Sequence, residues 1–377
     1  MDNPFKKIFG GGAIFGKSGE DSAVGIDIGS SAIKVVEIKR RHGRAVLETY
    51  GSVSLGPYAG LEIGRLTNLP PEKISEALKE VMKEANVSSA SVGLAIPVQA
   101  SLIFTIALPP GIKDADIPAV VPNEARKYIP VPISEVSLDY FTLPERQESY
   151  EEANNPDRVT GAPHKEVLAV AIQKDSINKY HSIVAGSALA ASFFEIEIFS
   201  SVRSNLEHEL SLVLIIDFGA SRTKLTLVEF GVVKAYHTIN RGGAEITESI
   251  SRSLSINFEE AENMKKEFGL FDNPNEKSLA DIIRVHVDYM FSEANSVLLG
   301  YERKYGQTIS KVILTGGGAL LKGIKEVASS SFRAEIEIGR PFNKLESPEF
   351  LGKVLEATGP EFAVAIGLAL RKLQGVR

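Results

Sequence analysis

The feature that most constrains this chain is an internal repeat. Ile26-Asp27-Ile28-Gly29-Ser30-Ser31-Ala32-Ile33-Lys34 recurs as Ile216-Asp217-Phe218-Gly219-Ala220-Ser221-Arg222-Thr223-Lys224, with five of nine positions identical and a spacing of 190 residues. Each copy ends an apolar, β-branched run, passes through a short Gly/Ser turn, and leads into two more such runs. That pattern predicts a three-stranded β-meander in both places. A period this long does not suit a solenoid, whose repeats are short. It predicts two similar α/β domains facing each other across a ligand cleft.

The repeated turns also carry a chemistry. An Asp at a strand end, followed by Gly and Ser, gathers a carboxylate and several backbone N–H groups at one spot. Glycine lets the backbone approach closely or take positive φ, and successive N–H donors form an anion-binding concavity. Ser30, Ser31 and Ser221 add hydroxyls, and Lys34 and Lys224 add point charges. The carboxylates suit a Mg²⁺ that keeps its waters and also touches phosphate. One such turn alone reads as a structural hairpin. Two in matched settings predict a clamp for a nucleotide triphosphate.

Composition sets the outer limits. Of 377 residues, 44% are hydrophobic and 24% charged, enough apolar material for large cores. The absence of Cys excludes disulfides, thiolate metal sites and Cys nucleophiles. A formal net charge of −6 argues against a general nucleic-acid binder. The uncharged stretch 85–112 is broken by polar residues and Pro97, Pro109 and Pro110, and its front half alternates as a strand does, so it is not read as a membrane span.

Along the chain, residues 1–22 read as a flexible leader. The first domain takes in 23–92 and resumes at 175–211, around a small inserted subdomain at 93–174. A second domain covers 212–360, and a helix at 361–377 returns to the first. Within this plan the pattern predicts helices over 71–85, 114–128, 175–190, 243–268, 277–305, about 320–329 and 362–373. The acidic stretch 144–166 reads as an exposed hairpin tip. Arg241-Gly242-Gly243 and Leu314-Thr315-Gly316-Gly317-Gly318 both join a strand to a helix, and the second could admit a nucleotide against bare backbone. Glu259, Glu260, Glu262, Lys265 and Lys266 read by themselves as a solvated helix face. Gly11–Ser18 formally matches a P-loop but lacks a strand before it. The six His show no ligand spacing, and Phe5, Ile8 and Phe9 beside Lys6 and Lys7 are read as part of a plain tail rather than a membrane anchor.

The paired hairpins, Gly242-Gly243 and the triple glycine resemble the actin-like, Hsp70-like ATPases. Within that superfamily GIDIGSSAIKVVEI, NEARKYIPVPISEVSLDY, FEIEIFSSVR, LIIDFGASRTKL, AENMKKEFGL, LTGGGALLKGI and FAVAIGLALR resemble the PilM family of type IV pilus assembly, over nearly all the chain after residue 22. The implied fold is α/β and actin-like: two duplicated RNase H-like domains around a nucleotide cleft, with a small FtsA-like inserted subdomain. The implied cofactors are ATP and Mg²⁺. Asp27, Gly29, Ser30, Ser31 and Lys34 fall on the first phosphate hairpin, and Asp217, Gly219, Ser221 and Lys224 on the second. Asp27 and Asp217 are the metal-site carboxylates. On this resemblance Gly242 and Gly243 match the glycine pair beside the phosphates, Glu262 and Lys265 match the A-E-x-x-K pattern that contacts ribose and base, and Gly316, Gly317 and Gly318 match the adenosine motif. Glu197 matches a position near the γ-phosphate that orients the attacking water.

The resemblance further implies a cytoplasmic scaffold at the inner face of the membrane. Its partners would be the cytoplasmic tail of a PilN-like bitopic membrane protein and other pilus platform proteins, with membrane contact indirect, no nucleic acid and self-association left open. Any Mg²⁺-dependent hydrolysis of ATP would be slow, since only Glu197 offers a base. Phe199-Ser200-Ser201 departs from the more usual small-apolar sequence. The alternatives are an FtsA-like filament-forming ATPase and a small-molecule kinase of the same superfamily.

Overall fold

The structure, a computed structural model, describes residues 22–143, 165–207, 209–271 and 277–374. The leader with its P-loop-like match, and all but the end of the 144–166 stretch, lie outside those residues. The described residues form two compact units, one of them Ile96–His181.

The larger unit, with chain on both sides of that segment, holds two five-stranded sheets. In the first, β1 (Ser22–Ile28), β2 (Ala32–Arg41) and β3 (Arg44–Ser54) form an antiparallel meander. β4 (Ser91–Ile96) runs parallel to β1, after helix α1 (Pro71–Glu84), and β8 (Ala190–Ile196) lies beyond it. The second sheet repeats the plan with β9 (Val213–Phe218), β10 (Thr223–Glu229) and β11 (Val232–Ile239), then β12 (Lys311–Thr315) parallel to β9 and β13 (Glu335–Ile338) outside it. The strand order, a meander with two further strands beyond its first, is therefore the same in both sheets.

Helices cover the strand faces in accordance with their apolar spacing. α1 turns Ile74, Ala77, Leu78, Val81 and Met82 inward. In the second sheet, the core joins strand residues Leu214 and Ile216 to Ile246 and Ile250 of α5 (Gly243–Leu254) and to Phe291 of α7 (Lys277–Tyr305). The Phe291 ring stands edge-on to Phe218 and Phe332, a favourable aromatic geometry.

The remaining helices of this unit are α3 (Lys174–Gly186), α4 (Glu197–Asn205), α6 (Phe258–Phe268), α8 (Ile324–Ser331), α9 (Gly352–Thr358) and α10 (Ala363–Leu373). The first of these begins in the smaller unit's residues. α10 is buried nearly all round because it lies between β1 and α4. Two glycines let the backbones meet. A Cβ at Gly25 would stand 2.0 Å from the Ala365 carbonyl oxygen, and one at Gly367 would stand 2.0 Å from that of Ser200. Gly25→Ala is expected to cost about 3 kcal/mol or more through forced backbone movement. A melting temperature unchanged from wild type would refute this.

The smaller unit is a three-stranded antiparallel sheet in the order β5 (Ser101–Ala107), β7 (Glu166–Gln173), β6 (Val136–Thr142). Helix α2 (Ile117–Ala125) buries Ile117, Val121 and Ala125 against Ile106, Val167 and Ala169. Strands at 91–96 and 101–107 account for the uncharged stretch, and no helix among the described residues is long and apolar enough to cross a membrane.

Three elements differ from the sequence expectations. The helix expected over 243–268 is two helices. Ser255 takes the left-handed conformation, and the Asn257 side chain accepts from the Glu260 N–H, ending one helix and capping the next. The helix expected over 175–190 stops at Gly186 and gives way to β8. The helix after the triple glycine begins at Ile324, behind a short 3₁₀ turn over Gly317–Leu320.

Candidate functional site

The two repeated turns share one strand register. Asp27 lies directly across from Lys34, and Asp217 across from Lys224. The Gly29 N–H donates to the Ala32 carbonyl at 3.0 Å, and the Gly219 N–H to the Arg222 carbonyl at 2.9 Å. Neither glycine has positive φ. They are needed for space: a Cβ would meet those same carbonyls at 3.0 and 2.8 Å. The first turn is braced from outside, where the Thr67 N–H donates to the Ser30 carbonyl and the Leu55 N–H to that of Ser31.

A charged cluster lies between the two turns. Lys224 Nζ donates to Glu197 Oε2 at 2.6 Å and to Asp217 Oδ2 at 2.9 Å. All three side chains are at most 15% exposed. Burial works against the ammonium charge of Lys224, but the two carboxylates hold its pKa well above the usual lysine range. Removal from water pushes the Asp27 carboxyl up to about 6 against the pull of Lys34; Glu197 and Asp217 push the same way. Glu197 owes its place to its position as the first residue of α4, directly after β8.

The glycine motifs converge on the second turn. The Gly243 and Ala244 N–H groups at the start of α5 donate to the Gly219 and Ala220 carbonyls at 3.0 and 2.9 Å. A Cβ on Gly242 would clash with both carbonyls, at 2.6 and 2.5 Å. Gly316, with φ of +77°, follows directly on Thr315, the β12 residue paired with Asp217, and its Cβ would stand 2.3 Å from Asp217 Oδ1. Gly318 packs as closely on Phe218, whereas Gly317 has only Glu361 near it, at 3.6 Å. Two of the three glycines are thus demanded by chain packing itself.

Glu262 and Lys265, on α6, are not a solvated face. Lys265 Nζ donates to Glu262 Oε2 at 2.6 Å, to Thr247 Oγ1 at 2.7 Å and to the Gly243 carbonyl at 3.1 Å. Burial would raise the Glu262 carboxyl, but Lys265 holds it below the usual range. Thr247 also donates to Glu262 at 2.5 Å. Thr247 was missed by the sequence reading, although it stands one helical turn from Gly243 and so faces the same way.

No group of three or more His, Asp or Glu that could hold a metal occurs among the described residues. Asp27 and Asp217 nevertheless fit a Mg²⁺ bound through one or two carboxylates with its waters retained. The side-chain-free Gly29 and Gly219 beside the Ser30, Ser31 and Ser221 hydroxyls fit the phosphates.

A sequence profile of the family described as type IV pilus assembly protein PilM matches residues 25–373. The chain belongs to the PilM family. The PilM-PilN type IV pilus biogenesis complex contains a chain 25% identical to this one, with a TM-score of 0.76 over 93% of this chain and 98% of that one. The ethanolamine utilization protein EutJ from Carboxydothermus hydrogenoformans shares the fold at 16% identity, with a TM-score of 0.54 over 94% and 91% of the two chains. The cell division protein FtsA of Staphylococcus epidermidis is 24% identical over 87% of this chain and 76% of its own length. FtsA of Neisseria meningitidis is 28% identical over 43% and 44%. The fold is the actin-like α/β fold expected from the duplicated hairpins, and the family is the one its motifs resembled.

Proposed function

We propose that this PilM-family chain is an ATP-binding scaffold of the type IV pilus inner-membrane assembly platform. The observation that carries the reading is the pair of register-matched Asp–Gly hairpins converging on one charged cluster. In this reading the Ser30, Ser31 and Ser221 hydroxyls face the phosphates, Gly29 and Gly219, whose own N–H groups close the turns, keep the approach free of side chains, and Lys34 and Lys224 flank them. Asp27 and Asp217 are the carboxylates for a hydrated Mg²⁺, which would supply charge neutralisation at the phosphates. Gly242 and Gly243 keep the backbone beside the phosphates free of side chains. Glu262 and Lys265 face the ribose and base, with Gly316, Gly317 and Gly318 at the adenosine. Glu197 is the group aimed at an attacking water.

The likeness to a chain of a PilM-PilN complex supports a PilN-like bitopic membrane protein as partner, engaged through its cytoplasmic tail. The scaffold would then sit at the inner face of the membrane without entering it, beside other platform proteins. ATP couples to assembly only insofar as the tail-binding and tail-free states differ in nucleotide affinity.

The test is to titrate the full chain with the tail peptide of a co-encoded bitopic protein, with and without ATP and Mg²⁺, by fluorescence anisotropy. Saturable binding is expected, with Kd shifted about fivefold or more by nucleotide, the lower end of ordinary coupling energies. No binding in either condition rejects the scaffold reading. The FtsA relatives motivate a second reading, a filament-forming ATPase. ATP-dependent sedimentation of the chain alone would favour it.

A further inference from the structure

The segment between β3 and α1 carries side chains that the nucleotide reading leaves without a role. Residues 55–67 leave the first phosphate hairpin and return to it. The Leu55 N–H donates to the Ser31 carbonyl at 2.8 Å, and the Thr67 N–H and hydroxyl donate to the Ser30 carbonyl at 2.9 and 3.1 Å. Between these anchors the chain crosses from the half built on the first sheet to the half built on the second. Glu62 Oε1 accepts from the N–H groups of Phe258 and Glu259, at 3.1 and 3.4 Å. Those are the first two residues of α6, and N–H groups there have no partner within a helix. Asn257 serves the Glu260 N–H, so a residue of the opposite half completes the cap. Arg65 fixes Glu62 in place. It donates to Glu62 Oε2 through Nε at 3.1 Å and to Glu248 of α5 at 2.7 Å, and its guanidinium lies 4.0 Å over the Phe258 ring. Gly64, at φ +87°, brings the backbone against the same helix: a Cβ there would lie 3.5 Å from Phe258 Cε1 and from Glu262 Cγ.

We propose that Glu62 and Arg65 are positioning residues that hold α6 to the first phosphate hairpin, so that nucleotide leaves the cleft only after this strap lets go. The release step rests on the nucleotide reading above and deepens it. α6 carries Glu262 and Lys265, the pair proposed at ribose and base, while the strap is anchored on Ser30 and Ser31, proposed at the phosphates. One short segment thus joins the two ends of the proposed site. Parting the halves separates Arg65 from Glu248 and, in the same movement, takes Glu62 away from two helix N–H groups. Both side chains are about one-third exposed, so water and salt reach the pairs and the hold can be broken.

The test uses the full chain in two arms. In the first, release of a fluorescent ATP analogue with Mg²⁺ present is followed by stopped flow after a chase of unlabelled ATP. Arg65→Ala, which removes two ion pairs and a ring contact, is expected to release it about tenfold faster than wild type. Its association rate should stay within about threefold, since loss of a closing contact shows in the off-rate. Glu248→Ala should speed release by about threefold, and both changes together no more than Arg65→Ala alone, because contacting residues do not add. Added salt should speed release from wild type more than from Arg65→Ala, a difference that a general loosening of the fold does not produce. Equal off-rates in wild type and Arg65→Ala overturn the proposal, and so does an equal response to salt. The second arm follows amide hydrogen exchange with no nucleotide present. Arg65→Ala and Glu62→Ala should each speed exchange in the first turn of α6 by about fivefold or more and leave α7 unchanged. Unchanged exchange in α6 overturns the hold itself. Absence of nucleotide binding by wild type rejects the nucleotide reading instead, and the exchange arm then decides whether Glu62 and Arg65 hold α6.

Discussion

Replacing Asp27 and Asp217 together by alanine is expected to abolish ATP binding in calorimetry, weakening Kd by at least about 100-fold, or ~2.7 kcal/mol. The double change removes both carboxylates proposed to hold the hydrated Mg²⁺. It also removes a hydrogen-bond partner of Lys224 and the carboxylate directly across the hairpin from Lys34. Misfolding through Asp27 does not explain such a loss, because the Asp27 carboxyl is pushed up to about 6 and its charge is a cost to the folded state; a melt of the double variant checks the Asp217 half, where Lys224 loses a partner. The sign is that of a raised carboxyl: its favourable contribution is present at low pH and is lost as pH rises through about 6. Asp27→Asn alone should therefore melt no lower than wild type at neutral pH. Retention of wild-type affinity in the double variant would refute the nucleotide site.

The second large effect concerns stability. Glu195 is fully buried and accepts from Arg203 at 2.7 and 2.8 Å and from Arg371 at 2.8 Å, with Ser200 as a further donor. Arg371, on α10, is only 2% exposed, and its guanidinium stacks over the Phe193 ring. Removing one partner of a buried pair leaves an uncompensated charge, so Glu195→Leu is expected to destabilise by about 3–5 kcal/mol. Burial alone would raise the Glu195 carboxyl, but Arg203 and Arg371 hold it below its usual range. Stability from a depressed carboxyl is present above its unfolded pKa of about 4.3 and is lost as pH falls through the lower folded value. Denaturant melts below pH ~4 should thus narrow the gap between wild type and Glu195→Gln. A gap constant over that range would show that the triad's charges are not what stabilises it.

How much of this was legible in the sequence depended on the range of the interactions. The hairpins were legible because Asp, Gly, Ser and Lys occur at fixed local spacing, and local spacing sets register. The break between α5 and α6 carried a local signal too, Asn257 followed by acidic residues, but it was masked by apolar periodicity continuing on both sides. β8 was hidden because its sequence, Ala190-Ala191-Ser192-Phe193-Phe194-Glu195-Ile196, does not alternate cleanly and follows closely on a helix of small residues. The engagement of Lys224 with Glu197 could not be read, since those residues lie on separate elements joined only by folding. Nor could the roles of Gly316 and Gly318, which looked like room for a ligand. In the structure they first make room for Asp217 and Phe218.

The burial of α10 against Gly25 and Gly367 bears on synthesis. The second sheet draws all its strands from 213–338, whereas the first cannot be sealed until residues 363–373 have emerged from the ribosome. Strand β1, made first, must wait with its apolar face open while the rest of the chain is translated. The half encoded later therefore reaches its native packing earlier, and the part of the cleft built on Asp27 matures last. On the proposed nucleotide reading, capture waits for residues 363–373 and is unavailable to shorter nascent fragments.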